Sequence, residues 1–223
     1  MLSRPVAFLC LPAILLAAAP TPASPRALRL LHEGQRELKA VRMTHYDHQV
    51  TVDERAGRFD FDCSGFLGYA LGRVDPEALA LLPVTSRTKK RPLAQDFHSL
   101  FEQLEHKERG PWKPVRHARN LKPGDIVAWL KSPDSDSHNT GHVMLVREHA
   151  YPNPERPDEI LVPILDSTMS AHCEDSRAKG ENGLGSGLIG ILVDREGRPL
   201  SYRWKGGQSL HPVETAIAFG RLE

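Results

Sequence analysis

The segment Asp60-Phe61-Asp62-Cys63-Ser64-Gly65-Phe66 puts a cysteine where an extended stretch should turn into a helix. Asp62 is a good N-cap residue, and Phe66, Leu67, Ala70 and Leu71 follow at one-face helical spacing. A thiol in the first turn of a buried helix meets unpaired backbone N–H groups and the positive end of the helix dipole. Both favour the thiolate, the nucleophilic form of cysteine, and the same N–H groups can hold the oxyanion of an acyl intermediate. Such a nucleophile needs a base within hydrogen-bond reach, and an imidazole base needs an acceptor to fix its tautomer. His142 and Asp166 are candidates for those two roles, because one opens an apolar run and the other ends the next one. Ser167, His172 and Asp175 compete with Asp166 for the third place. The bland reading of Cys63 is a small buried apolar side chain, or one half of a disulfide to Cys173. Asp60 and Asp62 add negative charge that opposes ionisation of the thiol unless Asp62 is occupied as the cap.

The elements that must position these residues can be followed along the chain. Ser24-Pro25 reads as an N-cap and first helical residue, with Leu28, Leu31, Leu38 and Val41 on one face. Met43 to Asp53 is strand-like, and Ala56-Gly57 turns the chain before the cysteine segment. Gly72 should close the Cys63 helix. An Ala- and Leu-rich connection follows, and then Arg87, Lys89, Lys90 and Arg91 read as a solvated loop. Pro92 opens a further helix carrying Phe97, Leu100, Phe101 and Leu104, ended by Gly110-Pro111.

From Leu121 the pattern changes. Lys122-Pro123-Gly124-Asp125 turns into a strand at 126–130, and a polar loop at 132–140 leads to a second strand at 141–146 that begins with His142. A proline-rich surface loop at 151–158 precedes a third strand at 160–165, ending at Asp166-Ser167. Residues 173–187 are polar, glycine-rich and without periodicity, which predicts a mobile loop. Residues 188–193 and 200–204 flank a hairpin turn at 194–197, and 215–222 should close the sheet. Helices first and an antiparallel sheet afterwards make the fold class α+β with one core.

Residues 1–23 read as a secretory signal: Arg4, an apolar run from Val6 to Ala19, and small residues at Thr21-Pro22-Ala23. Residues 24–223 are then one exported domain, periplasmic or secreted, with no later span of membrane length. Arg4 is the one charged residue of the signal, so 29 basic and 28 acidic residues become 28 and 28. That balance argues against nucleic acid as a partner, since phosphate binding needs a basic surplus. A monomer is expected. His138, His142, His149 and His172, with Cys173 and Asp175, lack tight zinc-ligand spacing, and neither a metal nor another cofactor is expected. Trp112, Trp129 and Trp204 read as core or cleft-wall residues.

Taken in order, Asp62-Cys63-Ser64-Gly65-Phe66, Leu121-Lys122-Pro123-Gly124-Asp125-Ile126-Val127 and Gly141-His142-Val143 resemble the NlpC-type cysteine peptidase family. The resemblance spans residues 46–166. It implies a papain-like fold, with the nucleophile at a helix N-terminus packed on an antiparallel sheet, and cleavage of peptide bonds in bacterial cell-wall stem peptides. Transferred residue by residue, Cys63 is the nucleophile, His142 the general base, Asp166 the orienting residue and Tyr46 the tyrosine near the oxyanion site, with Asp62 and Ser64 beside it. The chain departs from the family in the long polar segment 47–58, in the long connection from His142 to Asp166, and in lacking a wall-binding repeat domain. An amidase or acyl transferase using the same three residues is the nearest alternative. A non-catalytic binding domain with Cys63 bridged to Cys173 is the other.

Overall fold

A computed structural model describes residues 22–133, 135 and 139–223. Nearly all of the signal segment, and Asp134, Asp136 and His138 of the polar loop, lie outside the described residues. The chain runs α1 (Pro25–Ala40), β1 (Thr51–Asp53), β2 (Arg58–Asp60), α2 (Cys63–Val74), α3 (Pro76–Ala80), α4 (Ala94–Gln103), β3 (Trp112–Pro114), β4 (Ile126–Leu130), β5 (Gly141–Val146), β6 (Tyr151–Asn153), β7 (Arg156–Thr168), β8 (Gly183–Val193), β9 (Pro199–Arg203), β10 (Val213–Glu214) and β11 (Ile217–Leu222). Among the described residues, the small hairpin β1–β2 stands apart from a nine-stranded antiparallel sheet ordered β10-β9-β8-β7-β5-β4-β11-β3, with β6 on β7. The class is mixed α and β, with few helices and one large antiparallel sheet. Among the described residues no helix is long and apolar enough to cross a membrane.

Period-two patterning sorts the strands between two cores. Ile126 and Ala128 of β4, with Val143 and Leu145 of β5, join the helices α1, α2 and α4 in one cluster. Val127, Trp129, Met144 and Val146 face the other way, with Ile160, Val162, Ile164, Ile189 and Ile191. His142 and Asp166 share the parity of this second face. Ser24 caps α1 by accepting from the Ala27 N–H at 3.1 Å, as its sequence signature implies. The buried stripe of α1 is Ala27, Leu30, Leu31, Gly34 and Glu37, rotated from the expected leucine stripe, with Leu38 and Val41 only partly covered.

Several boundaries differ from the sequence reading. Gly72 does not end α2, which continues to Val74. Asp75 then caps α3, accepting from the Ala78 N–H at 3.1 Å, inside what reads as a plain connection. Of the strand-like 43–53 segment, 51–53 forms a strand paired with β2, and Met43 makes a single parallel bridge to Arg58. The proline-rich loop contains β6 and the start of β7. The largest correction concerns the supposedly mobile glycine-rich stretch: residues 183–187 open β8, a buried strand paired with β7 along ten register positions. The glycines hide the strand from a hydropathy reading, since they contribute no apolar side chain to the alternation.

Candidate active site

Cys63 is the first residue of α2, and Asp62 caps that helix as its sequence position implies. Asp62 Oδ1 accepts from the Gly65 N–H at 2.7 Å and the Ser64 hydroxyl at 3.0 Å. Its other oxygen, Oδ2, accepts from Arg91 at 2.7 Å and faces His48 Nδ1 at 3.1 Å. Arg91 also donates to the Ser64 hydroxyl at 2.7 Å. The basic run is therefore not a plain solvated loop: Arg91 neutralises the carboxylate beside the thiol. Asp60 is likewise occupied, accepting from the His45 N–H at 2.9 Å and Arg58 at 2.6 Å. Burial would raise the Asp62 carboxyl, and Arg91 and His48 hold it below its ordinary value instead.

The thiol itself departs from expectation. Burial pushes Cys63 well above the ordinary thiol range and the Asp62 charge adds to this. The Val143 and Ser64 backbone N–H groups, which point at the sulfur, pull only part of the way back. Burial thus favours the neutral thiol over the thiolate that the helix terminus suggested. The Val143 N–H also places Cys63 beside the residue just after His142, on the strand expected to carry the base.

His142 is the second residue of β5, after Gly141 at φ +142°, where a Cβ would collide with the Trp129 carbonyl oxygen. Only glycine lets the chain enter the strand so close to β4. Neighbouring strands β5 and β7 bring His142 Nε2 to 2.6 Å from Asp166 Oδ2. A carboxylate only accepts, so Nε2 carries the proton and Nδ1 is the basic nitrogen. The Ser167 hydroxyl donates to the Phe61 carbonyl at 2.5 Å, tying β7 to the segment that delivers Cys63.

Asp166 is wholly buried and has three side-chain donors among the described residues. His142 and His172 Nε2, the latter at 2.8 Å, share Oδ2, and Arg177 Nη2 donates to Oδ1 at 2.9 Å. Burial alone would raise this carboxyl; His172 and His142 hold it well below the usual range. His172, read from sequence as a competitor for the third place, instead supports its occupant, and Arg177 was not anticipated. The signal that could have found it is the alternation of Gly183, Gly185 and Gly187, which hydropathy does not register. A Cβ at Gly185 would lie 2.5 Å from Arg177 Nε, and one at Gly187 would lie 2.6 Å from His172 Cβ. Among the described residues, His142, Asp166 and His172 are the one group whose ligand atoms gather closely enough for a metal, within 4.8 Å. Their facing atoms are already joined by hydrogen bonds, with an arginine on the other carboxylate oxygen, and that arrangement fits proton handling.

Two adjoining cavities meet at these residues. One, about 360 Å³, is lined by Cys63, Asp62, Ser64, His48 and Lys89. The other, about 550 Å³, is walled by His142, Trp129, Tyr202, Trp204 and Met169. Tyr46 and Gly141 line both. Burial raises the Tyr46 hydroxyl, a thiolate at Cys63 would raise it further, and the Asp62 charge adds to this, which keeps it a hydrogen-bond donor. Trp112 lies in the core, whereas Trp129 and Trp204 are cleft walls. Cys63 and Cys173 are both free thiols, so the bridged alternative is not the arrangement seen.

No family model matches the chain. The chain is similar to an uncharacterized protein of Acanthamoeba polyphaga mimivirus, 29% identical over 184 residues, covering 73% of this chain and 77% of the viral protein. No solved structure matches it.

Proposed function

We propose that the protein is an exported cysteine hydrolase of papain-like, NlpC-type architecture, cleaving peptide or amide bonds of bacterial cell-wall peptides through Cys63, His142 and Asp166. The observation that carries this reading is a buried thiol at a helix start, against the strand whose first histidine is fixed through Nε2 by a buried carboxylate at 2.6 Å. Because the thiol rests neutral, His142 Nδ1 removes its proton as Sγ attacks the carbonyl carbon. The oxyanion that forms is held by the Cys63 backbone N–H and the Tyr46 hydroxyl. His142 then returns the proton to the leaving nitrogen as the C–N bond breaks, giving a thioester. Water, deprotonated by the same nitrogen, releases the acid and restores the thiol. An extended substrate would run from the Cys63 cavity into the aromatic one across Tyr46 and Gly141.

Incubation with purified peptidoglycan peptides, followed by mass spectrometry, tests the reading. The mature protein should release fragments with new amino termini, and folded Cys63→Ala and His142→Ala variants should release none. A Cys63→Ala protein with undiminished cleavage ends the proposal.

A further inference from the structure

Resting on that reading of Cys63 and His142, we propose that His172 is a positioning residue held as an imidazolium. Its two N–H groups clamp Asp166 onto His142 Nε2 and set both pH limits of the catalytic pair.

The His172 side chain is fully enclosed, with Nδ1 3.0 Å from the Trp204 carbonyl oxygen and Nε2 2.8 Å from Asp166 Oδ2. Both partners are acceptors. A neutral imidazole has one N–H and would aim a lone pair at an oxygen, so this geometry requires both nitrogens to be protonated. The missing proton does not sit on Asp166, because the Arg177 guanidinium donating to its Oδ1 at 2.9 Å holds it as a carboxylate. The charged groups facing His172 are Asp166 from β7, and Asp175 and Arg177 from its own loop; His142 faces it from β5. The ring of Trp204, the residue after β9, lies 4.1 Å from the His172 ring between centroids, an aromatic face suited to a cation. Burial alone would lower His172, and Asp166 raises it above the ordinary histidine value. Two carboxylates and two cations balance, leaving His142 without net negative surroundings. The bare backbone at Gly185 and Gly187 makes the space that Arg177 and His172 occupy.

The His172 charge lies 6.5 Å from His142 between ring centroids, so it opposes a second positive charge on the base that must accept the thiol proton. When His172 loses its proton at high pH, one of its two bonds is lost and Asp166 is no longer held on His142.

The mature protein with ring-15N histidine tests the protonation state directly. His172, assigned through its contacts to Trp204, should show two imidazolium nitrogens at pH 7, and a neutral-imidazole signature there overturns the proposal. Acylation by p-nitrophenyl acetate against pH tests the control of the pH limits. His172→Gln keeps an N–H for Asp166 but not the charge. In this variant the acid limb should move upward by about 1–2 pH units, and the alkaline limb set by His172 should vanish. Uniform slowing with both limbs in place is what a merely structural role gives, and it overturns the positioning claim. The NMR result does not depend on turnover. A neutral His172 in an active enzyme therefore defeats this inference alone, whereas an imidazolium in a protein that Cys63→Ala leaves unchanged defeats the hydrolase reading alone.

Discussion

Adding one methyl group at Gly187 should loosen the site more than it loosens the fold. In a strand, alanine in place of glycine ordinarily contributes about 0.5–1 kcal/mol through reduced backbone entropy. Here the new Cβ would stand 2.6 Å from His172 Cβ and 3.2 Å from Asp175 Oδ2. Carbon pairs rest at about 3.5–4.0 Å, and both carbons are anchored to backbone, so neither can swing aside. Overpacking of this kind costs about 1–3 kcal/mol. The net loss for Gly187→Ala is therefore up to about 2.5 kcal/mol, a Tm lower by up to about 10 °C for a chain of this size. Because the atom that must yield belongs to His172, acylation of Cys63 should fall at least tenfold while the protein remains folded. Gly68, inside α2, is the control, since a methyl group added there would meet nothing within 4 Å. Gly68→Ala should stabilise by up to about 1 kcal/mol and leave acylation unchanged. Thermal unfolding by circular dichroism and the p-nitrophenyl acetate burst read the two effects. A Gly187→Ala protein with wild-type Tm and burst would refute the packing of His172 against β8.

Arg91→Met removes the cation beside Asp62, which keeps its Gly65, Ser64 and His48 partners. Urea unfolding should show a loss of about 1–3 kcal/mol, and acylation of Cys63 should slow as the uncompensated charge opposes thiol ionisation; wild-type values for both exclude this role for Arg91. Glu37 on α1 is fully buried, neither carboxylate oxygen has a partner among the described residues, and burial raises its carboxyl to about 9 from an ordinary 4.5. The folded chain thus binds one more proton than the unfolded chain between those values, and stability falls as pH rises across that window. Glu37→Gln should stabilise by about 2–4 kcal/mol at pH 7 and by almost nothing at pH 4, measured as Tm against pH; an equal effect at both would place the ionised carboxylate in the fold.

Much of the frame was legible because it rests on local rules. Ser24 and Asp62 cap helices, and the strands at 126–130 and 141–146 alternate between two cores as their side chains dictate. The positions of Cys63, His142 and Asp166 at the ends or starts of apolar runs pointed to one site, and β5 and β7 bring the last two within hydrogen-bond distance. The α3 helix and the opening of β8 were not legible. One is five residues long, and the other is built on glycines that carry no hydropathy signal.

Residue types, caps and strand parity, all fixed by covalent order and near-neighbour sterics, determined which groups could do chemistry and which elements would present them. Their protonation was decided only by the tertiary structure. The Cys63 thiol is neutral because the folded chain strips its water, against what its helix position alone favours. The charge of Asp62 beside the thiol is offset in part because Arg91, 29 residues further on, lies across it. His172 and Arg177 reach Asp166 because β8 presents bare backbone to them. Electrostatic free energies depend on distance and on excluded solvent, and neither exists until strands remote in sequence have packed together.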